Sequence, residues 1–316
     1  MDRVVDNSRE MIRNGSKSFA AAARLFDVGT RESAYMLYAW CRYCDDVIDG
    51  QELGFVRYEE HGDDPERALA LLRETTQRAM DVEPMVNPVF DGFQRVMLTH
   101  GIPKHHPLEL IDGFEMDVRG RHYRTLEDTL DYCYHVAGVV GVMMAYVMGV
   151  TQERTLQRAA DLGLAFQITN ICRDVMDDAA LGRVYLPEEW LDAAGVPPGK
   201  ISDPRHREAV FSVVERLLDL ADRYYASAKL GIRALPFRSA WAIATARRVY
   251  CDIGELVRQR GAEAWDQRAV VSKRRKVYFA LRGALRATSV ATLEHHLEPT
   301  PRDPGLWSVV DTPRWH

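Results

Sequence analysis

Proline constrains this chain most through the places where it is missing. None of the 14 prolines precedes Pro65, and none falls within 108–186, 205–235 or 237–298. Proline has no backbone N–H and its ring clashes with the preceding turn, so it ends helices. Its long absences, in stretches rich in Ala, Leu, Arg, Glu and Met, leave room for long ones. Apolar residues in VVERLLDLADRYYASAKL and LEDTLDYCYHVAGVVGVMMAYVMG recur at three and four, the helical period. Runs of period two bounded by turn residues do not occur. The chain is therefore expected to be all-α, one large helical bundle. Helices are predicted near 4–24, 30–49, 65–80, 86–100, 106–118, 126–149, 153–178, 205–230, 237–260 and 271–288. The segments around HGDDPE, VPPGKISDP and PFRS read as loops. No linker or repeat divides residues 1–296, expected to form a single domain. Residues 297–316 carry four prolines and are expected to be an irregular tail.

With 316 residues, 47% of them hydrophobic, the chain can bury a large core. A net charge of -5 is mild for this size and argues for no particular partner, nucleic acid included. Five cysteines (Cys41, Cys44, Cys133, Cys172, Cys251) in apolar helical surroundings fit reduced, buried thiols of a cytoplasmic protein. Cys41-x-x-Cys44 has no second pair nearby to complete a zinc site. The first residues, MDRVVDNSREMIRNGSKSF, mix charges and lack the apolar core of a signal peptide. The longest apolar run, 136–150, is shorter than the roughly 18 residues of a bilayer span and reads as a buried helix. Peripheral contact with the inner face of a membrane stays open, as does the oligomeric state. The basic run KRRKVYFALRGALR (273–286) is either a solvated face or a contact with anionic lipid.

Two acidic clusters stand out against apolar surroundings. In CDDVID, Asp45 and Asp49 are four residues apart and share a helix face, with Asp46 turned aside. In FQITNICRDVMDD, Asn170, Asp174 and Asp178 are spaced by four along one stripe. Like charges at this spacing repel by roughly 0.2–0.5 kcal/mol per pair, and more where water is excluded. Each cluster has an arginine just upstream, Arg42 and Arg173, whose forks match phosphate oxygens. The alternative is a pair of solvated acidic faces. Magnesium suits the first reading, since it takes carboxylate oxygens and completes its shell with water and substrate phosphate. Manganese is a possible substitute.

These residues resemble the squalene and phytoene synthases, which join two prenyl diphosphates head to head, and in particular the bacterial phytoene synthases. GSKSF (15–19), YAWCRYCDDVID (38–49), DGFEMD (112–117), YCYHVAGVVG (132–141), QITNICRDVMDD (167–178) and GRVYLP (182–187) follow the family's order from Gly15 to about Lys276. The resemblance implies an isoprenoid-synthase fold with a central cavity. It makes Asp45 and Asp49 the first metal motif and Asn170, Asp174 and Asp178 the second, with the four aspartates, Arg42 and Arg173 catalytic. Ser16, Lys17, Ser18, Tyr38, Arg42, Gln167 and Arg173 match positions that contact diphosphate or frame its pocket. Tyr132, Ala137, Val140 and Gly141 match the helix lining the tail cavity, and Tyr250 a tyrosine near the diphosphate. Arg268 and Lys276 are further phosphate partners. The bland readings are capping hydroxyls for Ser16 and Ser18, core tyrosines for Tyr132 and Tyr250, and helix packing for Gly138 and Gly141. Asp117 reads as a third site carboxylate or a helix-end acid.

The resemblance further implies magnesium-dependent condensation of two geranylgeranyl diphosphates. The route runs through a cyclopropyl diphosphate to phytoene, without NADPH, as the first committed step of carotenoid biosynthesis. The alternatives are a C30 synthase using farnesyl diphosphate, which yields dehydrosqualene or squalene, and a non-catalytic scaffold relative. DDVID also fits head-to-tail synthases, but Asn-x-x-x-Asp-x-x-x-Asp and GSKSF belong to the head-to-head group. The small residues of FAAAA (19–23) suggest a roomy wall and favour the C20 substrate.

Overall fold

The computed structural model describes residues 2–48, 64–289 and 300–309. Its α-helices are α1 (Arg3–Gly15), α2 (Lys17–Ala23), α3 (Val28–Ile48), α4 (Pro65–Met80), α5 (Pro88–His100), α6 (His105–Val118) and α7 (Leu126–Cys133). They continue with α8 (Val139–Val147), α9 (Glu153–Ala180), α10 (Glu188–Ala193), α11 (Arg207–Gly231), α12 (Phe237–Arg260) and α13 (Lys273–Ser289). No strand occurs among the described residues, so the chain is all-α, as the proline gaps predict.

Capping residues set many of the helix starts. Asp64 accepts from the Glu66 and Arg67 amides ahead of Pro65, and Asn87 accepts from Val89 ahead of Pro88. In both, proline fills the first helical position, where an N–H would be unpaired anyway. Thr125 and Asp128 form a reciprocal capping box at α7. Two features depart from the sequence reading. The predicted helix 4–24 breaks at Ser16, whose backbone is extended (φ -147°) and whose hydroxyl accepts from the Phe19 amide at 3.3 Å. And α10, six residues long, occupies a segment for which no helix is predicted.

A π-helical turn, Tyr134–Gly138, joins α7 to α8. The continuous run Leu126–Val147 is 22 residues, so by length and composition it could span a bilayer, which the apolar run alone could not. Most of it is buried in the fold, packed against α6 and α9. Helix α9 also contacts α11 and α12 and forms the centre of the bundle. Glycines let it approach its neighbour: a Cβ at Gly163 would lie 2.2 Å from the Ala137 carbonyl oxygen, and one at Gly141 2.3 Å from that of Ala159. On the other side α3 and α5 pack through Trp40 and Phe93, stacked at 4.1 Å and fully buried. Such a pair adds about 0.5–1.5 kcal/mol beyond its area burial.

Candidate active site

A cavity of about 310 Å³ runs between α2, α3, the π-turn with α8, α9 and α12. Phe19, Ala22 and Ala23 of the FAAAA run line it, with Tyr38 and Cys41 on α3. Ala137, Val140 and Gly141 line it from the π-turn and α8, and Gln167 and Asn170 from α9. Gly141 thus serves both of the roles considered for it, since it lines the cavity and packs on α9. The wall is mostly apolar, with Thr155 and Arg158 as polar exceptions, and Gln167 and Asn170 carry it to the acidic stripe of α9.

At that end two carboxylate clusters meet arginines. On α3, Arg42 donates to Asp45 at 3.0 Å and to Asp46 at 2.6 Å. Asp46 is buried and does not merely turn aside: it anchors the arginine from four residues further along the helix. Asp49 lies outside the described residues, as do the side chains of Lys17 and Ser18. On α9, Arg173 grips Asp174 with two bonds of 2.8 and 2.5 Å, and Arg268, from the loop after α12, reaches the same carboxylate at 2.8 Å. Lys276 lies half-buried on α13. Burial, with the neighbouring Asp174 and Asp177 carboxylates, pushes the Asp178 carboxyl up to about 7, against the opposing pull of Arg183 and Arg173.

Aromatic rings connect the clusters. Tyr250 stacks on Phe166 at 4.1 Å and on Phe19 at 5.4 Å. Burial raises both the Tyr38 and Tyr250 hydroxyls to about 12, and each also feels charges of the clusters. Tyr38 senses Arg42, Tyr250 and Asp45, whereas Tyr250 senses Arg173, Asp174 and Arg268. Gly15 accounts for the first letter of GSKSF: a Cβ there would lie 2.4 Å from the Tyr38 hydroxyl.

Tyr132 is not among the residues lining this cavity. Its hydroxyl donates to Asp117 at 3.0 Å, and that of Tyr185 donates to the other Asp117 oxygen at 3.0 Å. The two rings stack at 4.6 Å. Asp117 and Tyr185 border a second cavity of about 490 Å³, with Arg121 and Arg183 on its wall. Tyr185 sits inside GRVYLP but had no role assigned; its partner is 68 residues away, a pairing that no local spacing reveals.

The donor set fits a hard divalent cation. Asn170 Oδ1 is buried without a hydrogen-bond donor among the described residues, and the Asp178 carboxyl is raised by burial and by the neighbouring Asp174 and Asp177. Oxygen donors crowded in this way suit such a cation.

The squalene/phytoene synthase family profile matches residues 12–275. A phytoene synthase of Pseudescherichia vulneris is 50% identical over 304 residues, covering 96% of this chain and 97% of that protein. A 15-cis-phytoene synthase of Pantoea ananas is 46% identical over 304 residues, with the same coverage of both chains. A dehydrosqualene synthase crystallised with a ligand superposes with a TM-score of 0.81 at 25% identity, covering 91% of this chain and 97% of its own. By its all-helical fold, its paired acidic stripes and these matches, the chain belongs to the squalene/phytoene synthase family.

Proposed function

We propose that this protein condenses two molecules of geranylgeranyl diphosphate head to head to give phytoene and two diphosphates. One observation carries the reading: α3 and α9, which line a mostly apolar cavity through Tyr38, Cys41, Gln167 and Asn170, carry acid and arginine clusters one turn further along. This is the shape required by a substrate with a diphosphate head and a hydrocarbon tail.

Asp45, Asn170, Asp174 and Asp178 would hold magnesium, or manganese in its place, with Asp49 completing the first motif. Magnesium, when bound, neutralises the diphosphate and makes it a leaving group. Arg42, Arg173 and Arg268 orient the diphosphate oxygens through their forks. Ionisation leaves an allylic cation, which the double bond of the second substrate attacks, and loss of a proton from the resulting cation closes the ring of a cyclopropyl diphosphate. A second ionisation, rearrangement and loss of a proton give phytoene. The faces of Phe19, Phe166 and Tyr250 steady positive charge beside the tail, and the apolar wall keeps water from quenching it. Ala22 and Ala23 leave the wall open to the longer tail. No reductant enters this route. Substrate tail and product are both lipids, so the reading includes peripheral contact with a membrane.

The test is extraction of a reaction of the purified protein with geranylgeranyl diphosphate, with and without magnesium and without NADPH. A magnesium-dependent C40 triene chromophore is expected. The likeness to a dehydrosqualene synthase favours a second reading, in which C30 product from farnesyl diphosphate would replace the C40 product. Turnover of neither substrate would point to a scaffold protein.

A further inference from the structure

Helix α13 is amphipathic in the wrong sense for a helix at a water surface. Its inner side, Phe279, Gly283 and Ala287, is buried. The helix packs on α12, where the Trp241 indole donates to the Ala280 carbonyl at 2.7 Å and a Cβ at Gly283 would lie 2.5 Å from Thr245 Oγ1. The outer side is also apolar. Val277 is 62% exposed, Tyr278 51%, Leu281 64% and Leu285 72%. At 3.6 residues per turn these four fall within an arc of about 100°, opposite the buried one. Just before the helix, Val270 is exposed as well.

The charge around this ridge has one sign. Lys273–Ser289 carries six cations and no acid, in a chain whose net charge is -5. Arg275 pairs with Asp252 of α12, and Arg248 holds Glu255, the other acid of that helix. Among the described residues Lys273 and Arg274, at the start of the ridge, have no acidic partner. Arg282 lies over the Tyr278 ring and donates to its hydroxyl at 3.0 Å. Aliphatic side chains, an interfacial tyrosine and flanking cations with long apolar stems are the features of a helix that lies in a bilayer surface.

We propose that the outer face of α13 is a membrane-docking surface, with Val277, Leu281 and Leu285 entering the lipid and Lys273, Arg274 and Arg282 meeting anionic headgroups. A second copy is a poor occupant: a two-fold interface on this face would set cation against cation. Helix α12 separates the surface from the cavity. Its Ala242, Ile243 and Ala246 line the cavity, while Trp241 and Thr245 meet α13. A docked α13 thus sets the tail cavity one helix away from the bilayer, which suits lipid substrate and product; this consequence rests on the function proposed above, whereas the surface does not.

The test is flotation of the purified full chain with phosphatidylcholine vesicles and with vesicles of phosphatidylcholine and phosphatidylglycerol in equal parts. No prenyl diphosphate is present, so the outcome is independent of the proposed reaction. Binding is expected to the anionic vesicles alone and to fall with added salt as charges are screened. Leu281→Gln with Leu285→Gln is expected to lower partitioning about tenfold or more. Lys273→Gln and Arg274→Gln should each lower it roughly fivefold. All four positions are exposed, so circular dichroism and melting should match the parent. The proposal is overturned if the parent does not float with anionic vesicles, or if the double leucine variant floats as well as the parent. It is also overturned if gel filtration shows a dimer that the leucine variant splits, since a second copy would then cover the face.

Discussion

Arg268 and Asp174 are 94 residues apart in sequence, and their side chains meet at 2.8 Å, on the same carboxylate oxygen that Arg173 holds at 2.5 Å. Two guanidinium groups on one carboxylate make a dense positive site beside an acid expected to bind metal. Arg173 is fixed by its own helix, whereas Arg268 comes from a loop and is more exposed. Such an arginine can turn from the carboxylate to an incoming diphosphate at little cost.

Arg268→Gln is expected to lower kcat/KM for geranylgeranyl diphosphate by about ten- to a hundredfold, the worth of a hydrogen bond to a charged group. Arg268→Lys should restore only part of this, because an ammonium cannot make two parallel bonds. Steady-state kinetics at saturating magnesium is the measurement. Unchanged kinetics in the glutamine variant would leave Arg268 as a surface partner of Asp174 and nothing more.

Ala23 lines the cavity beside Ala22, at the turn where α2 ends. Replacing it by phenylalanine adds a ring to the wall. A pocket wall discriminates poorly by attraction, since five further carbons gain at most roughly 4 kcal/mol on burial. Exclusion discriminates better. Ala23→Phe is expected to cut C40 product about tenfold or more while sparing C30 product from farnesyl diphosphate. Product analysis by chromatography decides it, and intact C40 synthesis would sink the idea.

The features above differ in how far the sequence reveals them. Proline gaps and the three-four period locate most of the helices, because a helix must satisfy both along its whole length. The break at Ser16 escapes this reading: GSKSF contains no proline, and the apolar run resumes at once. Helix α10 is too short to show a period. The stripes Asp45 and Asn170–Asp174–Asp178 follow from spacing, since each stripe belongs to one helix. Asp46 shows the limit of that reasoning, because the period fixes angles between side chains and does not say which angle faces the core. Asp117 with Tyr132 and Tyr185, and Arg268 with Asp174, are meetings of separate elements. Local pattern carries no record of them, and the family resemblance names residues without their pairings.

His100, at the end of α5, bonds to the Ser33 hydroxyl of α3 at 2.9 Å, and burial lowers its pKa. A depressed pKa means that the fold favours the neutral ring more than the unfolded chain does. The stabilisation is complete above the unfolded value of about 6.5 and is lost as the pH falls through it. Urea denaturation at pH 7.5 and 5.5, taken roughly one unit either side of that value, is expected to show a smaller loss in His100→Gln than in the parent. Equal losses would mean that other groups carry the whole dependence.

The tail is fixed to the bundle by a charge that cannot safely be left alone. Asp161 on α9 is 1% exposed, and Arg302 reaches both of its oxygens, with bonds of 2.8 and 3.0 Å. Ser227 of α11 donates to the same carboxylate at 2.5 Å. Arg302 also donates to the carbonyls of Leu306 and Trp307, so one guanidinium folds the segment 300–309 back onto the helices. Removing the arginine strands a buried carboxylate, at a cost of about 3–5 kcal/mol. Removing both charges strands nothing, and pairs of this kind are often replaced without loss. Arg302→Leu is therefore expected to lower stability by about 3–5 kcal/mol in urea, and Asp161→Asn added to it should recover most of that. If the double variant is as unstable as the single one, the tail is held by its shape and its carbonyl bonds, and the buried ion pair is incidental to it.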